Sequence, residues 1–266
     1  MPGPTASDPK RAQIVEDVHV EWFAHLAGVP GLEVHCDPDI AWKVSPASAW
    51  SNCGVRVRLS ERNAEARLDE VLTRYRTNGR GAGLWIGPSA QPANLETLLK
   101  ARRLRCRKYF PAMYCDLRNV VPSLQTEVPL RFSAVTDYTI FRQQPHPSIG
   151  RITTRIRRFT LESQQHLASR SPRKSWDLMA CCDDTPVGIC TLFIGARYAG
   201  LFDAGVLELL RNQGIGRTLV RYACAFAQEH GAEGIILIAM NMGYRVYEHV
   251  GFKEVSRVGF WYTARP

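Results

Sequence analysis

The sequence predicts a mixed α/β fold, a largely antiparallel central sheet flanked by helices, and three observations carry that expectation. In the second half an apolar strand runs into Arg211-Asn212-Gln213-Gly214-Ile215-Gly216, which opens directly into an amphipathic helix. Ahead of it, residues 176–182 and 187–194 are apolar runs joined by Asp183-Asp184-Thr185-Pro186, a hairpin turn by composition. Behind it, residues 235–239 are almost wholly apolar, the pattern of a strand covered on both faces. A hairpin beside a strand–helix–strand crossover makes a mixed layer.

The remaining elements follow in order. Residues 66–76 place Leu68, Val71, Leu72 and Tyr75 at helical spacing, and Leu84-Trp85-Ile86-Gly87-Pro88 reads as a strand ending in a turn. Asn94 is placed to cap a helix carrying Leu95, Leu98 and Leu99, and residues 111–117 read as another strand. Residues 120–129 hold two prolines and little periodicity, so the expected division is 1–120, a linker over 121–129, and 130–266. The second half restarts with a strand near 130–135, a basic helical region, the hairpin, and a strand over 200–207. The helix after the glycine turn buries Leu219, Val220, Ala223, Phe226 and Ala227 on one stripe, and Gly231 ends it. A short helix over 244–250, stopped by Gly251-Phe252, and a strand over 255–262 close the chain.

Composition narrows the function classes. At 266 residues and 45% hydrophobic content the chain can pack one large domain or two modest ones. No apolar run has the length of a membrane span, and residues 1–10 lack the layout of a secretory signal; a soluble cytoplasmic protein is the expectation. None of the eight cysteines forms Cys-x-x-Cys and no histidines cluster, which points to a reduced compartment and no metal site. His-Glu-x-x-His and Gly-x-Ser-x-Gly are both absent, which leaves zinc peptidase and serine hydrolase chemistry without a motif. The net charge of +9 attracts polyanions. Residues 142–174 hold eight basic residues and one acid, with Arg151, Arg155 and Arg158 on one helix face. That face is either simply solvated or a basic rim beside an anionic ligand. Nucleic acid ranks third as a partner, because no aromatics are interleaved for base stacking.

The glycine turn carries the chemistry. Its glycines let the backbone bend and approach a ligand, and the helix behind supplies unpaired N–H groups and a positive dipole end. The result is an anion cradle suited to a pyrophosphate. It is neither a Gly-x-x-x-x-Gly-Lys-Ser/Thr loop nor a Gly-x-Gly-x-x-Gly fingerprint, since Thr218-Leu219 follows Gly216. Gly79-Arg80-Gly81-Ala82-Gly83 precedes a strand instead of following one and reads as a turn.

Arg211-Asn212-Gln213-Gly214-Ile215-Gly216, the apolar strand after the helix, and Tyr247-Glu248-His249-Val250-Gly251-Phe252 together resemble the GCN5-related N-acetyltransferase (GNAT) family. The resemblance covers roughly residues 130–264 and implies the acyl-CoA N-acyltransferase fold. Residues 85–117 resemble the degenerate first half of tandem members, which lacks a cradle and helps shape the acceptor pocket or domain interface. The resemblance further implies acetyl-CoA as donor, without a metal, and an amine acceptor, taken as a primary amine of a small molecule. Transfer would be direct, in a ternary complex. Val206, Leu207, Arg211, Asn212, Gln213, Gly214, Ile215, Gly216, Arg217 and Thr218 would bind the cofactor, with main-chain N–H groups on the pyrophosphate. A main-chain N–H at Val206-Leu207 would hold the oxyanion, an effect worth about 3 kcal/mol per donor. Tyr247 matches the tyrosine that protonates the departing thiolate.

The departures are specific. Met240 stands seven residues before the tyrosine, where many members carry asparagine, and Asn241 follows one place late. Glu208 replaces the usual proline of the turn. Asp203 or Glu208 is the candidate base, and strict alternation would set Asp203 and Gly205 on one face with Phe202, Ala204 and Val206 on the other. His249 sits in no motif of its own. Competing functions are transfer from a longer acyl-CoA or to a protein amine, and a non-catalytic acyl-CoA-binding regulator.

Overall fold

The computed structural model describes residues 6–46, 52–77, 81, 83–120, 129–143, 146–147, 154–240 and 242–263, with only the backbone described at 119, 142–143 and 154–155. The first half runs α1 (Pro9–Leu26), β1 (Glu33–Cys36), β2 (Ala41–Val44), β3 (Cys53–Val55), α2 (Ala64–Thr77), β4 (Gly83–Ile86), α3 (Leu95–Ala101) and β5 (Leu104–Asp116). The second runs β6 (Arg131–Ala134), α4 (Ile140–Gln143), α5 (Thr154–Ala168), β7 (Ser175–Cys182), β8 (Thr185–Ile194) and β9 (Tyr198–Val206). It ends with α6 (Ile215–Glu229), β10 (Gly234–Ile238), α7 (Tyr244–Val250) and β11 (Lys253–Thr263).

The chain divides into two compact units, Met1–Ala112 with Glu254–Pro266, and Met113–Lys253. The closing strand therefore belongs with the first half, which a linear division at 121–129 does not anticipate; residues 121–128 lie outside the described ones. In unit 1 the strand order is β1-β2-β3-β4-β11 and then residues 104–112 of β5. Asp8 caps α1 by accepting from the Arg11 N–H, and Pro9 stands in its first turn. This helix is not among the elements expected from sequence; Val15, Val18, Phe23 and Leu26 form its buried stripe. Leu68, Val71, Leu72 and Tyr75 of α2 are buried with Trp42, Leu84 and Trp261, as their spacing requires. Asn94 precedes α3 but makes no side-chain cap bond, so the expected cap is only positional. β5 begins seven residues before the expected strand, because Arg105, Arg107 and Lys108 point outward and mask its pattern.

In unit 2 the order is residues 113–116 of β5, then β10-β9-β8-β7-β6. β7, β8 and β9 form the antiparallel meander, and β10 joins β9 in parallel. Alternation divides the two faces of this sheet. Leu178, Ala180, Cys190 and Leu192 pack with Leu219, Ala223 and Cys224 of α6, and Met179 and Ile189 pack with Tyr138, Phe141 and Leu161 on the α4/α5 side. The Asp183-Asp184 turn is tighter than expected: β8 resumes at Thr185, with Asp183 at φ 51°. Gly231 ends α6 at φ 85°, a left-handed turn that glycine takes without strain. No described helix is long and apolar enough to cross a membrane.

Candidate functional site

The site begins where β9 leaves β10. Their parallel register runs Gly234↔Tyr198, Ile235↔Ala199, Ile236↔Gly200 and stops there. Beyond Gly200, β9 stays paired with β8 while its other edge opens, and burial falls from Leu201 to the exposed Asp203 and Ala204. On the β8 side the register shifts by one: Thr191 faces Phe202, but Ile189 faces Gly205. Asp203 and Ala204 thus oppose Cys190 alone, a β-bulge, and Asp203 takes φ 48°. The strict alternation expected along this strand fails at that point, since an added residue resets the two-residue period.

The bulge decides which N–H groups face the opening. Leu207 N–H is donated to Val187 O at 3.0 Å. The Val206–Gly188 pair next to it is then a non-hydrogen-bonded one, whose N–H and C=O turn away from β8. Val206, and not Leu207, therefore offers its N–H to the gap, and the expectation for Leu207 is corrected because its donor is already used.

The cradle follows through a 3-10 turn, Glu208–Leu210. Asn212 (φ 66°) and Gly214 (φ 78°) both adopt the left-handed conformation that folds the loop over the start of α6. Gly214 is the helix N-cap and carries no side chain to cap with. The first intrahelical bond is Thr218 N–H to Gly214 O at 3.1 Å, so the amides of Ile215, Gly216 and Arg217 are the uncapped donors. Thr218 was expected among the cofactor-binding residues; its amide is spent, its hydroxyl also donates to Gly214 O, and the residue is fully buried. Ile215 likewise buries its side chain, leaving only its amide.

The open gap and the cradle form one cleft of about 720 Å³. Ala204, Gly205, Val206, Arg211, Asn212, Gly214, Gly216 and Arg217 line one wall, and Met242, Gly243, Arg245, Val246, Tyr247 and His249 the other. Gln213, Leu207, Asp203 and Glu208 are not among the lining residues; Glu208 is exposed on the 3-10 turn. Arg211 Nε donates to Val206 O at 3.2 Å, tying loop to strand. Arg11, Arg58, Arg67, Arg74, Arg102, Arg118, Arg131, Arg158, Arg197 and Arg257 all pair with carboxylates, whereas Arg211, Arg217 and Arg245 have no such partner among the described residues. Three guanidiniums on one cleft that make no carboxylate ion pair among the described residues suit a multiply charged anion. His249, which the sequence left without a role, lines the same wall, its Nδ1 2.5 Å from Arg245 O.

Tyr247 is held by the closing motif. Gly251 ends α7 at φ 116°, its N–H bonded to Tyr247 O and Glu248 O. Phe252 is then turned inward and packs against the Tyr247 ring at 5.8 Å. On its other side the ring lies on Gly243, where a Cβ would come within 2.6 Å of Cε2. Burial, with Cys190 nearby, pushes the Tyr247 hydroxyl up to about 12. Met240 is exposed, and Asn241 lies outside the described residues. Of the basic face expected on α5, Arg158 pairs with Glu162 at 3.3 Å, while Arg151 and the Arg155 side chain lie outside the described residues. Of the glycines near residue 80, Gly79 lies outside the described residues, while Gly83 opens β4. No group of three potential metal ligands occurs among the described residues.

Unit 1 repeats the element order β-strand, helix, parallel strand, helix, strand, yet has no such opening. After β3 and β4 the backbones remain stitched, Gln91 N–H to Val57 O at 3.0 Å and Leu59 N–H to Gln91 O at 3.1 Å. Arg58 crosses the same place to Ser89 (3.0 Å) and Glu16 (2.8 Å). Residues 56–63, which lead into α2, contain no glycine.

Comparison with known proteins agrees with this geometry. Residues 141–252 match the acetyltransferase (GNAT) family. An uncharacterized N-acetyltransferase of Chlorobaculum tepidum is 33% identical over 75 residues, which cover 28% of this chain and 47% of that protein. The match thus spans about half the length of that relative. Among solved structures, a GCN5-related N-acetyltransferase from Kribbella flavida superposes with TM-score 0.69 at 13% identity, covering 95% of each chain. A tandem GNAT protein from the clavulanic acid biosynthesis pathway superposes with TM-score 0.63 at 14% identity, covering 99% of this chain and 98% of the other. At these identities the superpositions establish the fold.

Proposed function

We propose, for a tandem GNAT fold whose residues 141–252 form a domain of the acetyltransferase (GNAT) family, an acetyl-CoA-dependent N-acetyltransferase acting on a primary amine of a small molecule. The observation that carries this reading is the open edge of β9 meeting the uncapped start of α6 in one cleft. The amides of Ile215, Gly216 and Arg217 hold the pyrophosphate, with Arg211, Arg217 and Arg245 as counter-charges. The pantetheine arm runs along the open edge, which brings the thioester to Val206.

The amine nitrogen attacks the thioester carbonyl carbon, and the oxyanion that forms accepts from Val206 N–H. Collapse breaks the C–S bond, and the thiolate takes the Tyr247 hydroxyl proton, which burial keeps in place. The proton lost by nitrogen passes to Asp203. This choice over Glu208 is supported by position. Tyr247 packs against the cluster that holds Cys190 and the α6 side chains, whereas the influence of Asp203 reaches Asp177, which accepts from Gln164 of α5. Tyr247 is thus associated with the α6 face of the sheet and Asp203 with the α5 face, which separates acid from base. Unit 1, with its opening stitched shut, takes no donor.

Titration calorimetry with acetyl-CoA, followed by an amine screen reading coenzyme A release, tests the reading. Saturable binding and turnover with at least one small amine are expected, with Tyr247→Phe lowering kcat while retaining binding. No saturable acetyl-CoA binding sinks it. A longer acyl donor is the second reading. Met242, one of three large apolar side chains exposed among the described residues, lines the cleft.

A further inference from the structure

Arg211 is bonded to the strand end as well as lining the cleft. Its Nε donates to Val206 O at 3.2 Å, five residues back along the chain. That carbonyl and the Leu207 N–H are the two ends of one planar peptide unit and point in opposite directions. Leu207 N–H is donated to Val187 O at 3.0 Å, so β8 grips one end of the unit and Arg211 the other. The Val206 N–H, assigned above to the oxyanion, belongs to the residue whose carbonyl Arg211 holds.

The backbone on either side is irregular. Upstream, Gly205 follows the bulge at Asp203, where the pairing with β8 shifts. Downstream, the turn reads Leu207-Glu208-Leu209-Leu210, without a proline, and is closed by Leu210 N–H to Leu207 O at 2.9 Å. The Val206 side chain lies over the start of α6, where a Cβ on Gly216 would meet its Cγ2 at 3.5 Å. Strand end and cradle are therefore neighbours, and Arg211 is a loop side chain that bonds back to the strand. A guanidinium carries five N–H donors in a planar fork, so bonding through Nε leaves an outer edge for a diphosphate. Arg211 lines the cleft and is exposed.

Resting on the acetyl-CoA reading above, we propose that Arg211 is a positioning residue that couples the donor's diphosphate to the oxyanion amide. With the diphosphate bound, its oxygens fix the outer nitrogens of the guanidinium, and Nε in turn holds Val206 O. The peptide unit gripped between Arg211 and Val187 then cannot swing, and the Val206 N–H stays aimed at the thioester carbonyl. Part of the binding energy of the distant diphosphate is thereby realised as turnover and not as affinity alone. The favoured donor class is a thioester that carries a diphosphate; the same thioester without one reacts more slowly even at saturation.

The test compares acetyl-CoA with S-acetylpantetheine, which has the same thioester and arm but no phosphate. Thiol release is measured in the full chain with the amine acceptor found in the screen. In the parent, kcat with S-acetylpantetheine is expected to be about tenfold below that with acetyl-CoA, besides any rise in KM. Two variants divide the roles of Arg211. Arg211→Gln puts an amide nitrogen at the Nε position, which keeps the donor to Val206 O and removes the charge. Arg211→Lys keeps the charge and puts a methylene there. Arg211→Lys should bind acetyl-CoA within about threefold of the parent yet lose about tenfold in kcat. Arg211→Gln should bind it about tenfold more weakly yet recover kcat to within about threefold of the parent. Parent-like kcat in Arg211→Lys, or equal kcat for the two donors in the parent chain, overturns the proposal and leaves the acetyltransferase reading standing. A parent chain that releases thiol from neither donor with any amine refutes that reading, and this inference with it.

Discussion

Replacing Gly243 by alanine should cripple the reaction while leaving the donor bound. Gly243 has ordinary helical angles, φ −88° and ψ −21°, so glycine is not needed there for its conformational freedom. It is needed for space. A Cβ would stand 2.6 Å from Tyr247 Cε2, 3.1 Å from Cζ and 3.2 Å from the hydroxyl oxygen. Ordinary contact begins near 3.4 Å, so the ring must retreat by about 0.8 Å, with Phe252 packed on it. Overpacking of this kind costs about 1–3 kcal/mol, offset by about 0.4–1 kcal/mol from a stiffer unfolded chain. The fold therefore survives. The hydroxyl, moved by most of an ångström from the departing sulfur, should lose between about tenfold and 100-fold in kcat. Calorimetric acetyl-CoA affinity, a thermal melt and steady-state kcat are measured for Gly243→Ala, Tyr247→Phe and the double variant. If the loss acts through the hydroxyl, Gly243→Ala should have little further effect in the Tyr247→Phe background. Parent-like turnover in Gly243→Ala, or an equal loss in both backgrounds, would refute the reasoning.

Three further outcomes follow from the same geometry. Gly214→Ala should destabilise the protein by about 1–2 kcal/mol, the penalty for a left-handed alanine, and weaken acetyl-CoA binding. Gly216→Ala should leave the melt nearly unchanged, because its Cβ would meet Val206 at an ordinary 3.5 Å. Paired melts and titrations check both. The alkaline side of kcat should show no descent attributable to Tyr247 below about pH 10, since burial raises its hydroxyl from 10.0 to about 12. By linkage, the stability tied to that group is complete below pH 10 and is lost as pH rises through 12, which denaturation at stepped alkaline pH can follow. His146 has the opposite sign for acid: held down from 6.5 to about 4, it favours the folded state above pH 6.5 and withdraws that support as pH falls toward 4. Urea midpoints at pH 7 and pH 4.5 should converge in His146→Phe relative to the parent protein; an unchanged gap would show that His146 is not responsible.

The chain's local patterns determined a good deal on their own. The Arg211–Gly216 loop, the buried stripe of α6, the doubly covered β10 and the Tyr247–Phe252 close are local devices. Their physics is confined to turn conformation, helical period and burial, and each is written within a few residues. The same locality explains the misses. Thr218 and Leu207 looked like ligand residues until the hydrogen bonds that consume their amides were visible, and those bonds join residues distant in sequence or a helix's first turn. The bulge at Asp203 is a mismatch of register between two strands, so no single strand's alternation could announce it. Asp177 reads as one charge in an apolar run; only folding brings Tyr138, Gln164, Thr191 and Asp203 around it. Likewise, residues 254–266 join unit 1 because strand pairing is set by edges available in space and not by order along the chain. Sequence determined where a glycine loop opens into α6. Tertiary structure decided that the Val206 amide, and not that of Leu207, turns away from β8, and which donors surround Asp177, because both depend on pairings between segments far apart in the chain.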